Sequence, residues 1–250
     1  MSTGSTQELA RIASKDVQSI ADVVQRLEDI RDHAAATSLL GAEDGIASFT
    51  KLYHIITKNV EATAAAGQFA DVAFLTRLDI EFARRYFSAL RAYAVNTQAA
   101  PQCWRILFDR RSDRSIRPVH FAAAGVNAHV NFDLTPALLA TWEAFPPDDQ
   151  GVQHADYRRI NDIFAVEMDD LRELFGSVLS VGEDGALWDR FANRASDLLV
   201  RFTRDLAWDE ALEVWGARDR GRARRSSGRK LDAIAEILGR GLLEAPFLPV

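Results

Sequence analysis

Apolar side chains recur at three- and four-residue spacing along most of this chain, and this spacing constrains its fold more than any other feature. The clearest stretch places its apolar and aromatic residues on one helical face: Leu75, Leu78, Phe82, Tyr86, Leu90 and Tyr93. The same spacing predicts further helices at 7–33, 46–60, 156–171, 187–215 and 231–243. Because β-branched runs are scarce, little favours a sheet. We therefore predict an all-α fold, a single helical-bundle-like domain of about eight helices.

Length and composition fit one domain covering residues 1–250. Of the 250 residues, 48% are hydrophobic and 26% are charged, which is an ordinary globular balance. The polar residues 1–6 predict a flexible N-terminus without the apolar region of a secretion signal. No stretch reaches the roughly 20 apolar residues of a membrane span, so we expect no membrane partner and a cytoplasmic location. No oligomeric state follows from the sequence.

Several kinds of chemistry are excluded or disfavoured. The single cysteine, Cys103, permits neither an intrachain disulfide nor a zinc site made of cysteines. It stands beside Trp104 and the apolar residues 106–108, so we expect a buried side chain rather than a nucleophile. The sequence contains no Gly-rich phosphate loop and no nucleophile motif. We therefore expect no nucleotide cofactor and no serine or cysteine hydrolase.

One segment is strongly basic although the whole chain carries a net charge of −6. Residues 218–230 hold seven basic residues and one acid, so this segment carries +6 and the remainder −12. One interpretation is an arm for nucleic acid or phosphate-bearing ligands. The segment also contains Gly221, Ser226, Ser227 and Gly228 and lacks aromatic residues for base stacking. We therefore predict a basic flexible loop over 216–230 and consider nucleic-acid binding the weaker hypothesis.

A polar motif stands out between apolar neighbours. Residues 125–134 are Gly-Val-Asn-Ala-His-Val-Asn-Phe-Asp-Leu, in which four polar residues alternate with apolar ones. Strict alternation is typical of a strand, but an isolated strand is unstable and the chain offers it no convincing partner. We therefore favour a helix, in which Asn127 pairs with Asn131 and His129 with Asp133 at i,i+4 spacing. A second helix is predicted to start at Thr135-Pro136, with Thr135 as N-cap and Pro136 at the first helical position.

This motif concentrates acid–base and metal-ligating groups. His129 and Asp133 are the candidate catalytic residues, either as a His–carboxylate pair that moves protons or as ligands of a divalent metal. The candidate substrate-binding residues Asn127 and Asn131 would hold substrate or water. The alternative is a structural network that fixes helix packing, because buried polar groups must be hydrogen-bonded.

Residues on other helices are predicted to complete a pocket. Asp79 lies on the apolar stripe with Tyr86, so both are predicted to point toward the core. Arg204 shares a helical face with Trp208, and Asp79–Arg204 is a plausible buried ion pair. These four are candidate substrate-binding residues, with structural pairing as the alternative for Asp79 and Arg204. His54 lies off its apolar stripe, so we predict that it is exposed.

The motif resembles the hallmark of a family known only as a domain of unknown function, found mainly in actinobacteria and fungi. That hallmark is Gly-x-Asn-Ala-His-Ile/Val-Asn-x-Asp-Leu, and residues 125–134 match it throughout. The resemblance extends to Leu52-Tyr53 with Thr57, Leu78-Asp79 with Phe82-Ala83 and Tyr86, Asp156-Tyr157 with Asn161, and Arg204 with Ala207-Trp208. It implies an all-helical fold and a shared polar site around the motif, and it supplies no reaction.

Together these features predict a small-molecule enzyme with a polar pocket between helices. The reaction would be hydrolysis, or a cyclisation or elimination driven by proton transfer, with specialised metabolism as a candidate setting. The alternative is a non-catalytic ligand-binding or interaction protein in which the polar segment is structural.

Overall fold

A computed structural model describes residues 3–148, 150–167 and 204–244, and every regular element in these ranges is helical. The α-helices are α1 (Thr3–Ala13), α2 (Ile20–Thr37), α3 (Gly45–Ala65), α4 (Val72–Val95), α5 (Gln102–Arg110), α6 (Pro118–Ala128), α7 (Leu134–Trp142), α8 (Val152–Glu167), α9 (204–216) and α10 (Arg220–Glu244). Short 3₁₀ turns lie at Gly41–Glu43 and Thr97–Ala99, and a π-helical turn, His129–Asp133, joins α6 to α7. The predicted all-α fold class is confirmed.

Two predicted helices extend past the described residues. Residues 168–171 of the helix predicted at 156–171, and residues 187–203 of the helix predicted at 187–215, lie outside the described ranges. Within those ranges no helix is long and apolar enough to cross a bilayer.

The N-terminal part differs from the prediction in two ways. The single helix predicted at 7–33 is divided into α1 and α2, because Ser19 and Asp22 form a capping box that starts a new helix. Residues 3–6, which were predicted as part of a flexible N-terminus, are the first turn of α1. Leu9 and Ile12 are buried, and α1 packs on α4. Because this packing fixes the helix, its extension to residue 3 gains backbone hydrogen bonds without a new nucleation step.

The predicted basic loop is also wrong, since residues 220–230 form the first half of α10. Asp219 starts this helix by accepting a hydrogen bond from the backbone N–H of Arg222 at 2.9 Å. Arginine is a good helix former, and two of the basic side chains have partners outside α10. Arg224 contacts Glu143 at 2.5 Å, and Lys230 contacts Glu210 at 3.1 Å. These tertiary contacts thus outweigh the low helix propensity of Gly221 and Gly228.

The centre of the molecule is the helix formed by α6, the π turn and α7. It packs against α3, α4, α5 and α10. Gly125 allows the closest approach, because a Cβ at this position would lie 2.3 Å from the ring of Phe49 on α3. On the other side of α3 lies α2, so α3 buries a second face. His54 is therefore buried, contrary to prediction, and burial lowers its pKa below the usual value.

A buried ion pair fixes the start of α3. Asp44 caps this helix by accepting hydrogen bonds from the backbone N–H groups of Ile46 and Ala47. Its other carboxylate oxygen contacts Arg111 Nε at 2.7 Å, and both side chains are almost fully buried. Arg111 follows α5 directly, so this pair joins two distant parts of the chain.

Candidate functional site

The polar motif lies at the middle of the central helix, where the backbone forms a π-helical turn. The helical interpretation of residues 125–134 is confirmed, but the predicted helix start at Thr135 is wrong. Pro136 has no backbone N–H, and its ring would clash with the carbonyl of residue 132 in a regular α-helix. The wider π turn relieves this conflict. The hydroxyl of Thr135 donates instead to the carbonyl of Ala207 on α9 at 3.2 Å.

His129 and Asp133 form a buried pair across this turn. The distance from His129 Nδ1 to Asp133 Oδ2 is 2.9 Å, and the two side chains are 3% and 2% exposed. Trp104 on α5 donates its indole N–H to the same carboxyl oxygen at 3.0 Å. The carboxyl group therefore has two fixed neighbours, and it holds the imidazole in one orientation.

Aromatic rings from α3, α4 and α5 surround the imidazole. Phe82 stacks on it in parallel, with the ring centroids 3.5 Å apart. Tyr53 approaches edge-on at 4.6 Å, and Phe49, Trp104 and Tyr86 lie about 6 Å away. The ring is thus restrained on its faces as well as through Nδ1.

Burial determines the charge state of the pair. It raises the pKa of Asp133 well above its usual value, against the opposing effects of the Trp104 hydrogen bond and the positive charge of Arg85. Burial also lowers the pKa of His129 well below its usual value, and the charge of Arg204 adds to this effect. Both directions favour a pair with no net charge. Such a pair can pass a proton without leaving an isolated charge in an apolar interior.

Two small cavities lie beside the pair and share the side chains of Tyr53, Ile56 and Phe164. One, of about 10 Å³, is lined by His129; the other, of about 30 Å³, is lined by Asp79, Phe82 and Arg204 among others. The larger cavity has room for one or two water molecules.

Three polar atoms of the residues that line these cavities are buried and have no hydrogen-bond partner in the described part of the chain: His129 Nε2, Tyr53 Oη and Asp79 Oδ2. Leaving a polar atom unpaired costs about 1–3 kcal/mol. Such atoms on the walls of two neighbouring cavities are suited to hydrogen-bonding small polar molecules.

Asp79 and Arg204 line the same cavity, but they do not form the predicted ion pair in the described structure. Arg204 donates its Nε–H to Asn161 Oδ1 at 2.6 Å and an Nη2–H to the carbonyl of Tyr157 at 3.3 Å. Its guanidinium also lies 4.5 Å from the centre of the Tyr157 ring. The Asp79 residue is partly exposed, yet its Oδ2 atom is buried, and burial raises its pKa to about 7.

The two asparagines face a different part of the molecule. Asn127 donates its amide to the carbonyl of Ala235 on α10 at 2.7 Å, and Asn131 donates to Asn127 Oδ1 at 2.9 Å. Both predicted i,i+4 pairs are therefore present. The asparagine pair lies at the contact with α10, and neither residue lines the cavities beside His129.

The other predicted pocket residues are divided between two clusters. Tyr86 belongs to the aromatic group around His129, and its hydroxyl is bonded to Thr50 Oγ1 at 2.6 Å. Trp208 packs with Trp142, His154 and Tyr157 in a second aromatic cluster. Trp208 supports the helix that carries Arg204 and does not line either cavity.

Among the described residues, the donor set at His129 and Asp133 is too small for the divalent metal considered there. In the described part of the chain, no group of three His, Cys, Asp or Glu side chains could hold a metal ion. Catalytic zinc, by comparison, is held by three protein ligands. The facing atoms of His129 and Asp133 are bonded to each other instead, an arrangement suited to proton transfer.

Sequence reasoning assigned no site role to Tyr53, Phe82 or Trp104. Tyr53 and Phe82 were visible only as members of apolar stripes and as outlying matches in the family resemblance. The sequence offers only a general reason to link Trp104 to the site. A buried indole N–H needs a hydrogen-bond acceptor, and a buried carboxylate such as that of Asp133 can supply one.

The fold and site define an all-α protein with a buried histidine–carboxylate pair in a π-helical turn. The chain belongs to DUF5995, a family of unknown function whose model matches residues 20–245. This match confirms the resemblance to a family of unknown function that the sequence suggested. Comparisons with curated proteins and with solved structures gave no match.

Proposed function

We propose that this protein is a small-molecule enzyme that works by proton transfer at His129. The observation that carries this proposal is the state of the two ring nitrogens. Nδ1 is held by Asp133 at 2.9 Å, whereas Nε2 is buried without a partner in the described structure and its residue lines a cavity. An imidazole fixed at one nitrogen and available at the other is the arrangement of a general acid–base catalyst.

The surrounding residues have distinct roles in this proposal. Asp133 fixes the imidazole through Nδ1 and exchanges a proton with this nitrogen when Nε2 gains or loses one. Tyr53 and Asp79 hydrogen-bond polar atoms of the substrate, and Arg204 contributes positive charge at the cavity wall. The reaction is hydrolysis, with Nε2 taking a proton from water, or an elimination or cyclisation, with Nε2 taking a proton from the substrate.

A panel of small esters, amides, lactones and β-hydroxy carbonyl compounds tests the proposal. Wild-type protein should turn over at least one class, and His129→Gln should lower that rate by about 10²–10⁴-fold. His33→Gln is the matched control, because it removes a histidine from α2 and should leave the rate unchanged. The proposal fails if no class is turned over, or if His129→Gln is as active as wild type.

The second candidate is a non-catalytic protein in which the motif is a structural network. It is favoured by the bonds that the motif makes to other helices, from Trp104 to Asp133 and from Asn127 to Ala235. His129→Phe distinguishes the candidates, since phenylalanine suits the aromatic surroundings and leaves no buried nitrogen unpaired. A catalytic His129 predicts a folded variant with no turnover. A structural His129 predicts a fall in thermal stability with ligand binding intact in the folded fraction.

A further inference from the structure

A third cavity lies between the α1–α2 connection and one face of α4. Its volume is about 360 Å³, within the range of small-molecule sites. Residues 13–17 form one wall, and α4 residues between Glu81 and Arg91 form the other. It shares no described lining residue with the cavities beside His129. We call it the α4 cleft.

The α4 cleft is basic in an acidic protein. The described residues that line it include four basic side chains and two acidic ones, which gives +2 in a chain of net charge −6. The basic residues are Lys15, Arg84, Arg85 and Arg91. Ser88 adds a hydroxyl on the same helix.

Both acidic residues of the cleft are bonded to the same arginine. Arg84 contacts Asp16 Oδ1 at 3.0 Å and Glu81 Oε1 at 2.9 Å, and it also donates to the carbonyl of Val17. Glu81 has a further ion pair with Arg77 at 2.9 Å. Arg84 therefore ties the α1–α2 connection to α4, and Arg84 and Arg77 together neutralise the two acids.

Most hydrogen-bond donors of the other three basic residues are not used by the described protein groups. Arg85 makes one long bond, from Nη2 to the carbonyl of Pro136 at 3.3 Å, and its Nε is buried without a partner in the described structure. Arg91 is exposed and has no partner among the described residues. Lys15 is 4.0 Å from Asp29. A guanidinium carries five donors in a planar fork that matches carboxylate and phosphate oxygens.

We propose that the α4 cleft binds a small oxyanion ligand, one that carries a phosphate or carboxylate group, through Arg85 and Arg91. Ser88 lies between the two arginines on the same turns of α4, so its hydroxyl can add a third contact. The observation that decides the chemistry is the surplus of unused guanidinium donors after both acids are paired. The inference does not depend on the proposed catalytic role of His129.

Calorimetric titration of the full chain with inorganic phosphate, and separately with citrate, tests this site. At low ionic strength at least one of the two should bind saturably, with a Kd of about 1 mM or tighter. The double variant Arg85→Gln/Arg91→Gln should weaken binding by about tenfold or more, because charge-assisted hydrogen bonds are lost. The matched control is Arg225→Gln/Arg229→Gln, which removes the same charge from the exposed face of α10 and should bind as wild type.

The single variant Arg91→Gln keeps the test valid if the double variant does not fold, since this exposed side chain supports no described contact. Loss of affinity in Arg91→Gln with an unchanged Tm supports the site. The proposal is overturned if neither anion binds saturably to the wild type. It is also overturned if the cleft variants bind as tightly as the α10 control, because binding then follows net charge alone.

Discussion

Around the centre of the molecule, individual polar atoms fall into two groups. Asp133 Oδ2 has two close partners, Trp104 and His129, and so is fully used in holding the site together. His129 Nε2, Tyr53 Oη and Asp79 Oδ2 have none among the described residues. Unpaired buried groups are costly, and in native proteins they are often found where a site binds or reacts. In the proposed function Asp133 therefore has a positioning role, and the other three atoms contact the substrate.

Asp79 gives the site a measurable pH dependence. Its pKa is raised to about 7, chiefly by burial, from the usual value near 4. A carboxyl group with a raised pKa stabilises the fold fully below the unfolded pKa, and this contribution is lost as the pH rises through about 7. Asp79→Asn should therefore raise the free energy of unfolding at pH 8 by about 1–3 kcal/mol and change it little at pH 4.

Urea unfolding at the two pH values measures this difference. Asp162→Asn on α8, which changes an exposed carboxyl group, is the comparison variant. An equal effect of Asp79→Asn at both pH values would mean that the Asp79 carboxyl group does not titrate in this range.

At the scale of elements, the central helix depends on two local features, the π turn before Pro136 and the close contact at Gly125. Pro136 accounts for the π turn that carries His129 and Asp133, and Gly125 allows α6 to lie directly against Phe49 on α3. Both features place the motif where α3, α4, α5 and α10 can contact it. The site is thus a consequence of helix packing rather than of a loop.

Gly125→Ala tests the fit between α6 and α3. The new Cβ would lie 2.3 Å from Phe49, so the helices must separate, and we expect a loss of about 1–3 kcal/mol in the free energy of unfolding. Gly228→Ala on α10 is the matched control, because no atom lies within 4 Å of its added Cβ. That change should stabilise the protein by about 0.5–1 kcal/mol. Equal effects of the two substitutions in thermal unfolding would argue against the close packing.

Helix periodicity predicted the type of the elements better than their boundaries. The stripe of α4 was clear because one face is buried along its whole length. Periodicity does not show the break between α1 and α2, because the apolar spacing continues across it; the local signal for the break is the capping box of Ser19 and Asp22. The helical start of α10 depends on contacts such as Arg224 with Glu143, which local sequence does not contain. The π turn was missed because Pro136 was interpreted as a helix start.

At the scale of the whole molecule, the candidate site is assembled from distant parts of the chain. Tyr53, Asp79, Trp104, His129 and Arg204 come from α3, α4, α5, the π turn and α9. Periodicity shows which face of a helix is buried, but not which other helix it meets. The sequence therefore located His129, Asp133 and Asp79 correctly in the interior and could not pair Arg204 with Asn161 or Trp104 with Asp133.

The buried ion pair of Asp44 and Arg111 joins the start of α3 to the end of α5. Arg111→Met should lower the free energy of unfolding by about 3–5 kcal/mol, because Asp44 would remain buried without a counter-charge. Arg240→Met removes one partner of the exposed ion pair with Glu236 and should cost no more than about 0.5 kcal/mol. Denaturant unfolding distinguishes the two. A small effect of Arg111→Met on the free energy of unfolding would contradict the predicted contribution of the pair.

The most direct test of the central claim is Asp133→Asn, assayed on the first compound that the wild type turns over. The amide oxygen can accept hydrogen bonds from Trp104 and His129, but the amide cannot exchange a proton with His129 Nδ1 as a carboxyl group can. We therefore predict an unchanged or higher Tm together with a rate reduced by about 10²–10⁴-fold. A lower Tm with the rate retained would contradict the account and make the pair part of a structural network.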